Sequence, residues 1–206
     1  MAIISNAVTI ADAGAFSASL GSMVLIKTLT ASSSSTLSFV DGAASVVLDS
    51  TYPIYKFEFI DIHPATDAAE FQFQGNAAGG SGYNETITST GFAPRHSEDD
   101  TSEVGMSYQS ANDKAQGTTF QDIFLNAGNA NDECISGFLT LFNPSSTTFV
   151  KHFISRVQGS HNANSSFEYF FAGYFNTTAA IDEIRFQMSS GNIDAGKIKL
   201  YGIKDS

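Results

Sequence analysis

The carboxylates come nearest to a catalytic pattern in "FEFIDIH", where Glu58 and Asp61 stand three residues apart. Glycoside hydrolysis needs two carboxyl groups across a cleft, one to protonate the leaving oxygen and one to act as base or nucleophile. Three apart on a flat strand, however, two side chains point to opposite faces, and a β-bulge would be needed to undo that. Glu168 in "FEYFFAG" has no acidic neighbour, and Asp182 and Glu183 in "IDEI" are adjacent and so face opposite ways. These carboxylates therefore give a carbohydrate-cleaving enzyme little support.

The densest acidic stretch, Glu98, Asp99, Asp100 and Glu103 beside His96, offers oxygen ligands to a hard cation. It lacks the alternating ligand spacing and the glycine of a calcium loop, so it reads as a solvated loop within 95–103. His63, His96, His152 and His161 fall in separate segments without zinc-site spacing. Cys134 is the only cysteine, which excludes an internal disulfide, and in "NDECISGFL" it opens an apolar strand as a buried thiol rather than a nucleophile. No Gly-x-Ser-x-Gly and no phosphate-binding glycine loop is present. The glycosylation patterns at Asn84, Asn164 and Asn176 read as chance matches in an Asn-, Ser- and Thr-rich chain. No catalytic residue, no cofactor and no metal ligand is assigned on these grounds.

What remains is aromatic. The chain has 18 Phe, 7 Tyr and no Trp, with 42% apolar and 15% charged residues, ample for one core. Tyr83, Phe92, Tyr108, Tyr169 and Tyr174 lie near expected loop tips, where an aromatic ring stacks on a sugar or anchors a protein contact, although most such rings in a β-rich domain are core. A net charge of −11, with the ten Lys and Arg scattered, repels a phosphate backbone, so no nucleic-acid partner is expected. No apolar stretch reaches the length of a membrane span, and the first residues do not form a signal peptide, so no membrane insertion is expected either.

The elements that must position these residues are strands. Alternation with period two runs through 23–30, 35–40, 44–49, 55–63, 69–75, 103–109, 118–126, 134–142, 148–157, 167–175, 181–188 and 196–203. Gly-, Asn- and Ser-rich punctuation separates them, which predicts a single all-β antiparallel sandwich or barrel over 21–206. In "YKFEFIDIH" the apolar face changes sides near Phe59 and Ile60, predicting a bulge or burial on both faces. The run at 69–75 follows it through Pro64 and Asp67 as a hairpin or a sheet-to-sheet corner. Only 110–116 offers a turn or two of helix, from Ser110. At the end, "IDEIRFQMSSGNIDAGKIKLYGIK" reads as a closing hairpin with Ile184, Phe186 and Met188 paired to Ile198 and Leu200, and Gly191 or Gly196 with Asn192 at the turn.

"YKFEFIDIHPATDAAEFQFQ", "GGSGYNETITS", "NANDECISGFLTLFNPSSTTFVKHFIS", "AGYFNTT" and the terminal "AIDEIRFQMSSGNIDAGKIKLYGIK" together resemble virion-associated proteins of tailed bacteriophages, especially marine ones. The resemblance covers residues 20 to 204. It implies a jelly-roll-type β-sandwich displayed on the virion, assembled in the host cytoplasm and without enzymatic activity. It does not separate capsid decoration from tail appendage or tail fibre, and no functional residue is carried over from it. The implied partners are other virion proteins and copies of the chain itself, a trimer foremost, with a host surface glycan as the alternative ligand.

Two segments are expected to meet those partners because they hold few carboxylates. One is residues 1–20, read either as an arm lying on a neighbour through Ile3, Ile4, Val8, Ile10 and Phe16 or as an ordinary first strand at 7–10. The other is the turn from Leu141 to Phe149, where Phe142, Pro144 and Phe149 either contact a neighbour or, for the two Phe residues, are plain core.

Overall fold

The computed structural model describes residues 22–102 and 104–205, together with the backbone of three short strands, β1 (Ile3–Ser5), β2 (Val8–Asp12) and β3 (Ala15–Phe16). These three form a small antiparallel sheet of their own. The remainder of the expected arm, and the side chains of Ile3, Ile4, Val8, Ile10 and Phe16, lie outside the described residues, as does Glu103.

Thirteen further strands follow: β4 (Met23–Thr30), β5 (Leu37–Val40), β6 (Ile54–Pro64), β7 (Ala69–Ala77), β8 (Ile87–Ser97), β9 (Val104–Tyr108), β10 (Ala115–Gly117), β11 (Gln121–Ala127), β12 (Ile135–Phe142), β13 (Lys151–His161), β14 (Ser165–Phe175), β15 (Ile181–Met188) and β16 (Ile193–Ile203). They make one antiparallel sheet, and no helix occurs among the described residues. One run has the order β4-β16-β6-β12-β13-β14-β8, with β9 and β10 pairing successive stretches of β8. A second run, β11-β7-β15-β5, joins it where β11 pairs the end of β13 at Ala127 and His161. The sheet curls until the two runs face each other, a nearly closed, barrel-like arrangement.

Its core is a pile of phenyl rings. Phe186 of β15 lies within 5.2 to 6.3 Å of the rings of Phe39, Phe57, Phe59, Phe71 and Phe73, which come from β5, β6 and β7. Edge-to-face and offset contacts of this kind add roughly 0.5–1.5 kcal/mol each beyond the area they bury. Phe73 meets Phe153 of β13 at 5.0 Å, and Phe124 of β11 meets Tyr169 of β14 at 5.1 Å, so rings bridge the two runs along their length.

The bulge expected in β6 is present. Tyr55, Phe57 and Phe59 are buried, the register on both neighbours shifts across Ile60 and Asp61, and burial resumes at Ile62. Asp61 takes φ +51°, a left-handed conformation that Asp tolerates better than most residues. The extra residue returns the apolar face inward.

Several expectations need correction. Residues 181–188 and 196–203 do not form a hairpin: β15 pairs β7 and β5, while β16 pairs β4 and β6. Ile184, Phe186, Met188, Ile198 and Leu200 are all buried as expected, but the two strands belong to opposite runs of the sheet. Likewise β6 and β7 share no ladder, and their Phe59 and Phe71 rings touch edge-on at 5.1 Å, which makes "PATDA" the corner rather than the hairpin. Residues 44–49 are not a strand; Ala44 and Ser45 have positive φ, and Val46 and Leu48 are buried from irregular backbone. Residues 110–116 form no helix, because Asn112 and Asp113 close a turn on the Gln109 carbonyl and the chain then enters β10. Finally, β8 occupies part of the stretch read as a solvated loop.

Candidate functional site

Position β8 at the flank of the sheet and its even-numbered residues face away from the core. Thr88, Thr90 and Phe92 stand outward, while Ile87, Gly91 and Ala93 are buried. The same alternation sends His152, Ile154 and Arg156 outward from β13 and Phe170, Ala172 and Tyr174 outward from β14. The ladders align these residues in rows. Phe138, Arg156, Phe170, Phe92 and Tyr108 follow one another across β12, β13, β14, β8 and β9, and Thr140, Ile154, Ala172 and Thr90 form the next row.

The first row is a stacked column. The rings of Phe92 and Phe170 are parallel within 5° at 4.8 Å, and the Arg156 guanidinium lies over the Phe170 ring at 5.2 Å. Arg156 also donates to Glu168, which pairs its charge and raises its pKa. The second row is low, with small Ala172 and Thr90 between taller neighbours. Two shallow grooves result, of about 450 and 260 Å³, which share Thr90, Ile154 and Ala172 and so form one trough. Phe142, His152 and Tyr174 wall one end, and Phe92, Phe170 and Tyr108 wall the other. Beyond them, β9 adds Met106 and Val104 on the same face, opposite Pro94 and His96.

Exposure is concentrated here. Of the eight large apolar residues exposed among those described, five (Phe92, Val104, Met106, Tyr108 and Ile154) belong to this face, with Met106 71% and Tyr108 62% accessible. Single exposed apolar side chains are ordinary, but a contiguous patch marks an interaction surface.

The sequence-derived candidates distribute differently. The bulge brings Glu58 and Asp61 both to the outside of β6, yet Glu58 Oε1 accepts a hydrogen bond from Lys56 Nζ at 2.9 Å, and Asp61 lies beside Cys134, with Oδ1 3.9 Å from Sγ. Cys134 is half-buried, and burial together with Asp61 pushes its thiol pKa up, away from a thiolate nucleophile. In the acidic loop Asp99 folds inward on its own chain: it accepts from the Ser97 and Ser102 hydroxyls and the Thr101 and Ser102 N–H groups, which hold its carboxyl well below the usual range. His96 pairs with Asp100 at 3.1 Å. Among the described residues no group of three or more His, Cys, Asp or Glu side chains gathers as a metal site.

The turn after Leu141 is tied down: Asn143 N–H donates to the Pro53 carbonyl and Ile181 N–H to that of Pro144. Pro144 is buried within the chain, so it presents no contact surface; Phe142 is half-buried at the trough and Phe149 is 69% exposed. Of the loop-tip aromatics, Tyr169 is core, Phe92, Tyr108 and Tyr174 line the trough, and Tyr83 is held under Arg185, whose guanidinium lies 3.7 Å from the ring centre. Sequence reading missed the trough as a unit because its rows run across strands distant in the chain. The signal that was available is the charge-free stretch from Val104 to Asn112.

No protein-family model, curated protein or solved structure matches this chain.

Proposed function

We propose that the chain is a structural protein of a bacteriophage virion, displayed on the particle as capsid decoration or tail appendage, with its sheet disposed as a jelly-roll-type β-sandwich. In this reading it performs no catalysis, assembles in the host cytoplasm, and is held by other virion proteins and by copies of itself, as a trimer. The observation that carries the reading, beside the sequence resemblance, is the apolar trough on the outer face of β13, β14, β8 and β9. A subunit that holds on without a covalent link must bury apolar and aromatic anchors, and this face collects them.

A receptor-binding carbohydrate module is the second reading, favoured by the number of aromatic residues around the trough. Sugar rings stack on open aromatic faces, however, and the Phe170 ring is already engaged by Phe92 and Arg156. The rest of the face is largely aliphatic, with Val104, Met106 and Ile154 exposed, a surface better matched to another protein.

Protein analysis of gradient-purified particles, followed by fitting the fold into their cryo-electron microscopy density, tests the proposal. Stoichiometric copies on the particle exterior are expected. A chain absent from particles overturns it, and a purified chain that binds host polysaccharide through Tyr108 and Tyr174 favours the second reading.

A further inference from the structure

We infer that β9 is a self-association edge, at which a second copy of this chain adds its own β9 antiparallel and extends the sheet across a two-fold axis near Met106. The inference deepens the reading above by naming the partner of the trough's outer end, and it rests on that reading for the presence of many copies.

Beyond its ladder with β8, β9 has no strand partner among the described residues. Gln109 N–H donates to the Gly91 carbonyl, and alternation along an antiparallel ladder then directs the N–H groups of Gly105 and Ser107 to β8 and those of Val104, Met106 and Tyr108 outward. An open edge of this kind invites another strand unless a charge, a proline or a cover blunts it. The opposite edge, β4, carries Lys27, whose ammonium caps the Ala44 carbonyl, and the β5 edge is only four residues long. By contrast no Asp, Glu, Lys, Arg or His occurs from Val104 to Asn112.

That neutrality selects the occupant. The chain carries a net charge of −11, so a basic partner would be drawn to its carboxylates, and nothing in β9 would hold it there. A second equally acidic copy needs the reverse, a strand that carries no carboxylate of its own; the Asp113 carboxylate, which follows the strand, accepts from the Tyr108 hydroxyl at the end of the strip. The strip is also its own complement: with Met106 opposite Met106, Val104 faces Tyr108, so apolar side chains meet apolar side chains and the Phe170–Phe92–Tyr108 row runs on into the neighbour. In this register the acidic loop at 98–102 falls beyond the paired segment, at the rim. The contact joins copies in pairs; where the protein is trimeric, it links one trimer to the next.

The test uses the full chain with Cys134 replaced by Ser and Met106→Cys introduced. Opposed residues in a hydrogen-bonded pair lie about 5.5 Å apart at Cα, within disulfide reach. Mild oxidation is expected to give a covalent dimer as the dominant species, while Ile154→Cys, in the trough centre, gives far less. Met106→Pro removes one outward donor and spares the ladder to β8, and is expected to weaken self-association by about tenfold or more in light scattering across a concentration series. Met106→Lys serves the same purpose should the proline variant fail to fold. A chain that is monomeric at every concentration, or an oligomer that Met106→Cys does not cross-link and neither substitution weakens, overturns the inference. A Met106-linked dimer absent from particles leaves the inference standing and overturns the virion reading, whereas particle-bound protein without the cross-link does the opposite.

Discussion

Phe92 and Phe170 lie side by side on neighbouring strands with their rings parallel within 5° and 4.8 Å apart, outside the core rather than in it. Both hold positions that a free-standing sheet face would give to Thr or Lys. Stacking pairs contribute roughly 0.5–1.5 kcal/mol beyond burial, so a double-mutant cycle with Phe92→Ser and Phe170→Ser, read by urea unfolding, is expected to show a coupling of about that size. A coupling near zero would mean that the rings do not stack in solution. Phe92→Ser alone should leave the fold intact and weaken any association through the trough.

Phe186 tests the core. It touches five other phenyl rings and is fully buried, so Phe186→Ala should cost about 3–5 kcal/mol, and Phe186→Leu distinctly less because most of the volume stays filled. Thermal melts of the two variants decide it: equal, small losses would show that the ring pile is not where stability resides.

Gly91 tests the strand that alternation did not find. A Cβ there would sit 2.3 Å from Phe171 Cδ1 and 2.9 Å from the Phe170 carbonyl oxygen, the second of which is backbone and cannot rotate away. Gly91→Ala is expected to destabilise by about 1–3 kcal/mol. An unchanged melting temperature would show that β8 does not pack on β14 in this register.

These variants mark how far the sequence could be read. Period-two alternation located most strands to within a few residues, since it records which side of a strand meets the core. Pairing is a different matter. Phe186 and Leu200 both belong inside, but nothing local says whether their strands are joined by hydrogen bonds or face each other across the core, and a short turn suggested the first where the second holds. In β8 the inward residues include Gly91, Ala93 and Ser97, too small to show a hydrophobic period, because Phe167 and Phe171 of β14 supply the bulk there. The trough was invisible for the same reason: it is built from rows perpendicular to the chain, and only the uncharged run through β9 announced one end of it.

Tyr55 gives a prediction in pH. Its ring is buried, its hydroxyl donates to the Asp49 carbonyl at 3.0 Å, and burial, reinforced by the Asp49 charge, pushes its pKa up to about 12 from an ordinary 10. Below pH 10 the phenol is neutral in both folded and unfolded chains, and the stabilisation is fully present. Between pH 10 and about 12 the unfolded chain releases the proton while the folded one retains it, so folding loses stability as pH rises through this window. A shift of about two pH units corresponds to roughly 2–3 kcal/mol. Tyr55→Phe removes the hydrogen bond, at a cost of about 1 kcal/mol near neutral pH, and removes this alkaline loss with it. Subtracting the variant's stability curve from the parent's cancels the other titrating groups. The difference should favour the parent at pH 8, fall through zero and favour the variant by pH 12; a difference that stays constant from pH 8 to 12 would show that Tyr55 titrates as an exposed phenol and that the end of β6 is not closed over it.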